Sequence, residues 1–229
     1  MRDNDKMLLS ELIRGAELTF ENAEQLFSEA ILLRKNGHLN RALFLHQISM
    51  EECAKVDILG SWATTLVSGE NVDIKKLTKA INNHKAKNYT NAYMARLSDV
   101  ELAARERGDW KSSTKAFKQW QEEIHSYLNT HKNASLYVDL KKDGKFSCPS
   151  NVITEQMVDE ITIVNRYFLT ITHPRIGPMY RMANDTDTMQ GIIRWFMGRI
   201  EDMKLEDYET SKKAINALLQ KMFKQYKKE

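Results

Sequence analysis

Three charged residues stand in the middle of an apolar stretch, and their types could support acid–base chemistry. The segment ISMEECAKVDIL, residues 48–59, carries Glu51, Glu52 and Lys55 among residues typical of a buried helix. Glu51 and Lys55 are spaced i, i+4 with the acid first, the better order for an ion pair on a helix. We therefore expect Glu51 to pair with Lys55. That pairing leaves Glu52 in need of a partner from another element, because burying a carboxylate without one is costly.

A second segment offers such partners. The stretch INNHKAKNYTNAY places His84 and Lys87 about one helical turn apart. A histidine beside a carboxylate is the usual proton carrier near neutral pH, and a neighbouring lysine can stabilise a phosphate or a developing oxyanion. We predict that His84 or Lys87 approaches Glu52. The plainer interpretation also stays open, in which the lysines are a solvated surface run and the glutamates only hold the fold.

The elements that would position these residues are helices. The 229 residues include only 9 glycines and 3 prolines, too few for a fold that turns every ten residues. Apolar residues recur at helical spacing through most of the chain. We predict an all-α fold with a short β-like loop or hairpin near 136–147 and a proline-containing connector at 173–187. The predicted helices cover residues 8–33, 40–67, 73–107, 110–128, 154–172, 187–203 and 206 onward.

The connector is the best candidate boundary between domains. It suggests a main helical domain at residues 1–173 and a helical extension at residues 174–229, packed on or beside it. The extension ends in the basic tail KMFKQYKKE, whose lysines could touch RNA phosphates but more simply form a solvated helix face.

Composition and charge set limits on the class of protein. The formal net charge of +3 permits contact with RNA without requiring it. The two cysteines, Cys53 and Cys148, form neither a CxxC pair nor a disulfide framework. No segment approaches the ~18 uncharged apolar residues of a membrane span, and the N-terminal residues lack the core of a signal peptide. We expect a cytoplasmic protein that does not associate with membranes.

The residues also allow two other classes of protein. A carboxylate-bridged dimetal bundle would need two Glu-x-x-His motifs on facing helices, and only Glu122 to His125 has that spacing. We therefore expect neither a metal nor another cofactor. A non-enzymatic interaction protein is the more serious alternative, and its candidate interface residues are Tyr89, Tyr93, Trp110 and Trp120.

Several short motifs together resemble the AbiV family of abortive infection proteins. They are Asn22-Ala23, the run Arg41-Ala42-x-Phe44-Leu45, Glu51-Glu52-x-x-Lys55, His84-Lys85-x-Lys87, Leu136-Tyr137-Val138-Asp139 with Pro149 after it, and the helix opening at Ile153-Thr154. Their order and spacing agree over roughly residues 12–170. The residues from about 175 onward add nothing to the likeness.

The resemblance implies a compact HEPN-like helical bundle that forms a homodimer. It also implies a bacterial antiphage protein that a phage protein triggers and that halts the infected cell's metabolism by attacking RNA or blocking translation. Active HEPN nucleases usually carry an arginine followed, after four to six residues, by a histidine. Arg41 and His46 fit that spacing, as do Arg166 and His173, although so permissive a spacing arises easily by chance.

The candidate active site is therefore assigned first to Glu51, Glu52, Lys55, His84 and Lys87, with Arg41 and His46 as second choice. A metal-independent ribonuclease needs a base for the ribose 2′-hydroxyl, an acid for the leaving 5′-oxygen and a cation for the phosphorane. His84, Glu52 and Lys87 would fill these roles in that order.

Overall fold

The structure is a computed structural model that describes residues 1–94 and 98–201, with backbone only for 93, 94 and 196–201. The described residues divide into two compact units, one of residues 1–94 and 120–190 and one of residues 98–119 and 191–201. The predicted last helix from Glu206 and the C-terminal lysines lie outside the described residues. The predicted domain boundary at residue 173 stays a prediction.

The predicted all-α fold and hairpin are confirmed. The helices are α1 (Asp3–Lys35), α2 (Leu39–Ser68), α3 (Ile74–Asn82), α4 (His84–Met94), α5 (Asp99–Glu106), α6 (Trp110–Leu136), α7 (Pro149–Val152), α8 (Glu155–Thr172), α9 (Ile176–Asn184) and α10 (Thr186–Glu201). A two-stranded antiparallel hairpin, β1 (Asp139–Leu140) and β2 (Phe146–Ser147), joins α6 to α7. Among the described residues, no helix has both the length and the apolar character that crossing a bilayer requires.

Glycines end the first two helices and turn the chain back on itself. Gly37 and Gly69 have φ angles of 78° and 94°, a left-handed conformation that glycine adopts without steric cost. Backbone N–H groups that follow each helix donate to carbonyls of its last turn, as in His38 N to Leu33 O at 2.9 Å. The short link lets α1 and α2 pack as an antiparallel pair.

The central element of the first unit is α2, which packs against α1, α4, α8 and α9. Half of its residues are buried, on several sides of the helix. Its apolar side chains join those of α1, α6, α7 and α8 in one core that includes Met50, Cys53, Leu128, Val158 and Phe168. A charged residue on one of these buried sides meets neighbouring helices rather than water.

The prediction of a single helix over residues 73–107 is wrong, because side-chain caps divide this segment into separate helices. Asp73 caps α3 as expected, accepting from the N–H groups of Lys75 and Lys76. Asn83 then leaves the helical conformation, and its side-chain oxygen accepts from Ala86 N at 3.1 Å at the start of α4. Ser98 caps α5 in the second unit through Glu101 N.

The prediction of a connector at residues 173–187 is also wrong, since most of these residues are helical. Thr154 caps α8 as predicted, and a 3₁₀ turn at His173–Arg175 leads straight into α9. Pro174 and Pro178 are tolerated because each lies in the first turn of its helix, where N–H groups have no intrahelical partner. The α9 helix packs against α1 and α2 in the first unit. The α10 helix begins at Thr186, so Asp187, predicted to cap this helix, lies in its first turn instead.

Candidate active site

A buried carboxylate on α2 organises the candidate site. The Glu51 side chain is only 4% exposed. Its Oε2 atom lies 2.6 Å from His84 Nδ1 and 2.7 Å from Lys87 Nζ, and its Oε1 atom lies 3.2 Å from Lys132 Nζ. Side chains from α4 and α6 thus meet both oxygens of one glutamate.

Local sequence explains how α4 delivers two of these groups. His84 is the first residue of α4, directly after the capping Asn83. Lys87 follows three positions later, so both side chains lie on the same face of the helix. Asn91, one further turn along, donates from Nδ2 to the Met50 carbonyl at 3.1 Å and holds this face against α2.

The predicted pairing of Glu51 with Lys55 is wrong. Lys55 instead contacts Glu52, three residues before it on α2, through a short Nζ–Oε1 ion pair. His84 and Lys87, which we expected to approach Glu52, both bind Glu51. The orientation of α2 about its own axis explains why the partners differ from those predicted. It directs Glu51 toward α4 and α6 and leaves Glu52 beside the partly exposed Lys55.

The electrostatics of Glu51 follow from its neighbours. Burial by itself would raise the pKa of Glu51, but the hydrogen bond and charge of Lys87, the charge of Lys132 and the His84 contact outweigh it, so the pKa lies below its usual value. Glu51 is therefore ionised at neutral pH. One carboxylate faces two ammonium groups here, which leaves an excess of positive charge around it even when His84 is neutral.

His84 is the member of the cluster that solvent can reach, since 55% of its side chain is exposed. An ionised carboxylate only accepts hydrogen bonds, so Nδ1 of His84 carries the proton that Glu51 receives. In the neutral imidazole this leaves the lone pair on Nε2, the atom directed away from that contact. His84 is thus held in the tautomer that accepts a proton at Nε2. Lys87 is buried and reaches Glu51 rather than solvent.

Several polar residues beside this cluster were not anticipated from the sequence as site residues. Lys132 is the first, and it lies 81 positions from Glu51 in the chain. Glu122 accepts hydrogen bonds from Lys85 and from the Tyr89 hydroxyl, and Asn88 Nδ2 lies 3.1 Å from His125 Nδ1. In the sequence, this surface is marked by the Glu122-x-x-His125 spacing, which also occurs in dimetal sites, and by Tyr89, a candidate interface residue.

Metal ligation finds little support in these contacts. Within the described part of the chain, no group of three or more histidine, cysteine, aspartate or glutamate side chains is arranged to hold an ion. Both oxygens of Glu51 are already engaged by nitrogen groups of His84, Lys87 and Lys132.

The second-choice residues Arg41 and His46 lie elsewhere on α2. Arg41 is exposed, whereas His46 is fully buried. His46 and Glu51 are five positions apart on α2, which places their side chains about 140° apart around the helix. His46 faces α8, where its Nδ1 accepts from Asn165 Nδ2 at 3.1 Å and its Nε2 lies 2.8 Å from Thr162 Oγ1.

That environment fixes the protonation state of His46. Thr162 Oγ1 lies 2.6 Å from the Val158 carbonyl and donates its hydrogen there, so it accepts from Nε2–H of His46. Burial, with a smaller contribution from the charge of Arg34, lowers the pKa of His46 to about 4. His46 is therefore a neutral, structural residue at physiological pH in this fold.

This shift predicts a loss of stability in acid. An unfolded histidine takes up a proton near pH 6.5, whereas folded His46 does so only near pH 4. The stabilisation is complete above pH 6.5 and is lost as the pH falls toward 4, a loss of about 3 kcal/mol. The pKa of Glu51 is lower in the folded protein than in the unfolded chain. Further stability is therefore lost as the pH falls below the pKa that Glu51 has in the unfolded chain.

Urea titrations between pH 7.5 and 4 would measure the effect. A His46→Gln variant should be less stable at pH 7.5 but should show a flatter dependence of unfolding free energy on pH. A variant of the exposed His38, His38→Gln, serves as the matched control and should follow the wild type. Equal slopes for wild type and His46→Gln would contradict the assignment.

Comparison with family models identifies one family for this chain. The model of the HEPN AbiV family, described as AbiV, matches residues 11–170. A protein of Sinorhizobium fredii described as "Uncharacterized protein y4gJ" is 40% identical over 112 residues, which are 49% of this chain and 58% of that protein. The chain thus spans little more than half the length of this relative. No solved structure matches the chain.

Proposed function

Because the chain belongs to the AbiV family of HEPN domains, we propose that it is an antiphage defence protein that cleaves RNA without a metal ion. The observation that carries this proposal is His84, a half-exposed imidazole whose Nδ1 is held by the buried Glu51. A histidine oriented by a carboxylate is a common arrangement for a general base. The proposal also includes a cytoplasmic location, a homodimer and activation by a phage protein.

The proposed reaction is transfer of the phosphate to the neighbouring ribose hydroxyl. Nε2 of His84 takes the 2′-hydroxyl proton, and the 2′-oxygen attacks phosphorus. The bond from phosphorus to the 5′-oxygen then breaks, and the leaving oxygen takes a proton. The products are a 2′,3′-cyclic phosphate and a 5′-hydroxyl, and no metal or redox partner is needed to balance the step.

The contacts favour a different assignment for the remaining roles. Lys87 is buried against Glu51, so it positions that carboxylate and adds positive charge without touching the phosphate. Lys55 is a quarter exposed and lies one turn from Glu51 on α2. Its ammonium group is the proposed cation for the phosphorane and the acid for the leaving oxygen. Glu52, paired with Lys55, holds that ammonium group in place.

The test is incubation of purified protein with total RNA, with and without EDTA, followed by analysis of the fragment ends. We expect cleavage that EDTA does not prevent and fragments that carry 2′,3′-cyclic phosphate. The reaction is repeated with lysate from phage-infected cells, because the proposal includes a phage trigger. RNA that stays intact under both conditions would contradict the proposal, and EDTA-sensitive cleavage with 3′-hydroxyl ends would contradict its metal-independent chemistry.

One surface favours a second function, that of a non-enzymatic interaction protein. The cross-strand partners Leu140 and Phe146 of the hairpin are 62% and 73% exposed, and Tyr137 and Val138 before them are exposed as well. Apolar side chains grouped in this way on a surface mark contact sites for other proteins. The same surface is the proposed contact of the homodimer.

Replacing the apolar pair tests whether the hairpin is the contact surface. A Leu140→Ser/Phe146→Ser variant should lose self-association in sedimentation experiments and keep its helical circular dichroism, because neither side chain is part of the core. A matched Lys141→Ser/Lys145→Ser variant changes the polarity of the same hairpin at charged positions and should associate like the wild type. If the Leu140→Ser/Phe146→Ser variant associates like the wild type, the hairpin is not the contact surface of the homodimer.

A further inference from the structure

A second histidine lies beside the cluster around Glu51 and has no role in the proposed reaction. His125 is on α6, seven positions before Lys132, so the two side chains lie on the same face of that helix. From this face Lys132 reaches Glu51, with 3.2 Å between Nζ and Oε1. His125 therefore belongs to the surroundings of the candidate site.

The α4 helix links this second histidine to His84. Asn88 follows His84 by four positions, which makes them neighbours on one face of α4, with Cβ atoms about 5–6 Å apart. The Nδ2 atom of Asn88 lies 3.1 Å from Nδ1 of His125. The two imidazoles are thus about one helical turn apart along α4, a separation that one phosphodiester and its ribose can span.

Asn88 determines which nitrogen of His125 carries the proton. A side-chain amide nitrogen only donates, so Nδ1 of His125 accepts from Asn88 and the proton of the neutral ring lies on Nε2. Asn88 is 2% exposed, so the surrounding helices hold this donor in place. The arrangement is the opposite of that at His84, where Glu51 accepts from Nδ1 and leaves a lone pair on Nε2.

The groups around His125 keep its ring neutral. Burial lowers the pKa of His125, and the charge of Lys85 lowers it further. Glu122 opposes these effects without reversing them. Lys132 and Glu51 act on the same pKa more weakly and in opposite directions, which places the ring close to their ion pair.

The Nε2 atom of His125 is open to a ligand. The side chain is half-buried, and within the described part of the chain its hydrogen-bond partner is Asn88, at Nδ1, with none at Nε2. The Nε2 atom is not among the buried polar atoms. An acceptor from outside the protein can therefore reach the Nε2–H group.

The charges nearby favour an anionic acceptor. Ion pairs between α2, α4 and α6 involve three ammonium groups and two carboxylates, those of Lys85, Lys87, Lys132, Glu51 and Glu122. The surplus of one positive charge attracts an anion to this surface. A hydrogen bond from N–H to a charged oxygen is also stronger than one to a neutral oxygen.

We propose that His125 binds the scissile phosphate of the RNA by donating from Nε2–H to a non-bridging oxygen, and that Asn88 positions it for this contact. The inference rests on the proposed action on RNA and adds a substrate-binding residue to it. His84 takes the 2′-hydroxyl proton, and His125 stabilises the charge that grows on the phosphorane oxygens. No proton leaves His125 in this role.

Nitrogen-15 NMR of the histidine rings tests the arrangement without requiring cleavage. We expect the proton on Nδ1 in His84 and on Nε2 in His125. A short RNA with 2′-fluoro groups in place of the 2′-hydroxyls cannot be cut, and its addition should shift the Nε2–H signal of His125. Asn88→Asp offers a carboxylate that accepts from Nδ1–H, so the proton should move to Nδ1 and the shift should disappear. A wild-type His125 with its proton on Nδ1 would overturn the proposal.

Affinity for the same uncut RNA measures the strength of the contact. In fluorescence anisotropy, His125→Ala should weaken binding about 10–100-fold, the factor expected for a hydrogen bond to a charged group. His125→Gln keeps an N–H donor near the position of Nε2 and should retain most of the affinity. His131→Ala is the matched control, since His131 lies about 120° around α6 from His125 and contacts the Tyr127 carbonyl of its own helix. It should bind like the wild type.

The outcomes separate this contact from the proposed nuclease. Binding that depends on His125 and on its Nε2 proton supports the contact even if no RNA is cut. Absent binding to the folded wild type, or equal binding by folded His125→Ala, overturns it. If the wild type cuts RNA and folded His125→Ala cuts at the same rate, the contact is overturned while the nuclease stands.

Discussion

Replacing Glu51 by glutamine should lower the free energy of unfolding by about 3–5 kcal/mol, the usual cost of leaving buried charges without their partner. Glutamine keeps the size of the side chain but removes the negative charge between Lys87 and Lys132. Two buried ammonium groups then face each other without compensation. Urea-induced unfolding followed by circular dichroism would measure the loss.

The neighbouring glutamate provides the matched control. Glu52→Gln frees only Lys55, which is partly exposed and can be solvated, so its cost should be about 1 kcal/mol or less. A triple variant, Glu51→Leu/Lys87→Met/Lys132→Met, removes the buried charges together and should recover most of the stability. A Glu51→Gln variant as stable as Glu52→Gln would contradict the central place of Glu51.

The limits of helices were predictable where the signals are local. Gly37 and Gly69 end α1 and α2, and Asp73 and Thr154 begin α3 and α8, because a cap depends on a few neighbouring residues. The break at Asn83 was missed, although it too is a local cap. Asparagine is tolerated within helices, so its side chain signals a cap only when the backbone departs there.

The convergence of Glu51, His84 and Lys87 was predictable from the sequence, but the ion pairs that they form were not. That Glu51, His84 and Lys87 converge follows from α4 packing against the charged part of α2. Which glutamate faces α4 depends on the rotation of α2, and its nearly all-round apolar surface gives no single face from which to read it. Lys132 could not be found by spacing, because its contact with Glu51 exists only once α6 is in place.

His84→Ala should reduce the rate of RNA cleavage by about 10²–10⁴-fold, the usual contribution of a general base. The loss should appear in the rate constant more than in RNA affinity, since the imidazole contributes a proton acceptor rather than a backbone contact. Folding should be nearly unchanged, because His84 is half exposed and Glu51 keeps both lysines. Single-turnover cleavage of a labelled RNA and thermal unfolding of the same preparation would measure both.

Two control experiments test whether the loss of cleavage in His84→Ala comes from the loss of a proton acceptor. His38→Ala removes an exposed histidine at the start of α2 and should cleave at the wild-type rate, which excludes a general effect of losing an imidazole. Imidazole added to the buffer should restore part of the activity of His84→Ala, because a free base can enter the space that the side chain leaves. Rescue by imidazole distinguishes a group that moves a proton from one that only supports Glu51. Cleavage by folded His84→Ala at the wild-type rate would remove His84 from the reaction.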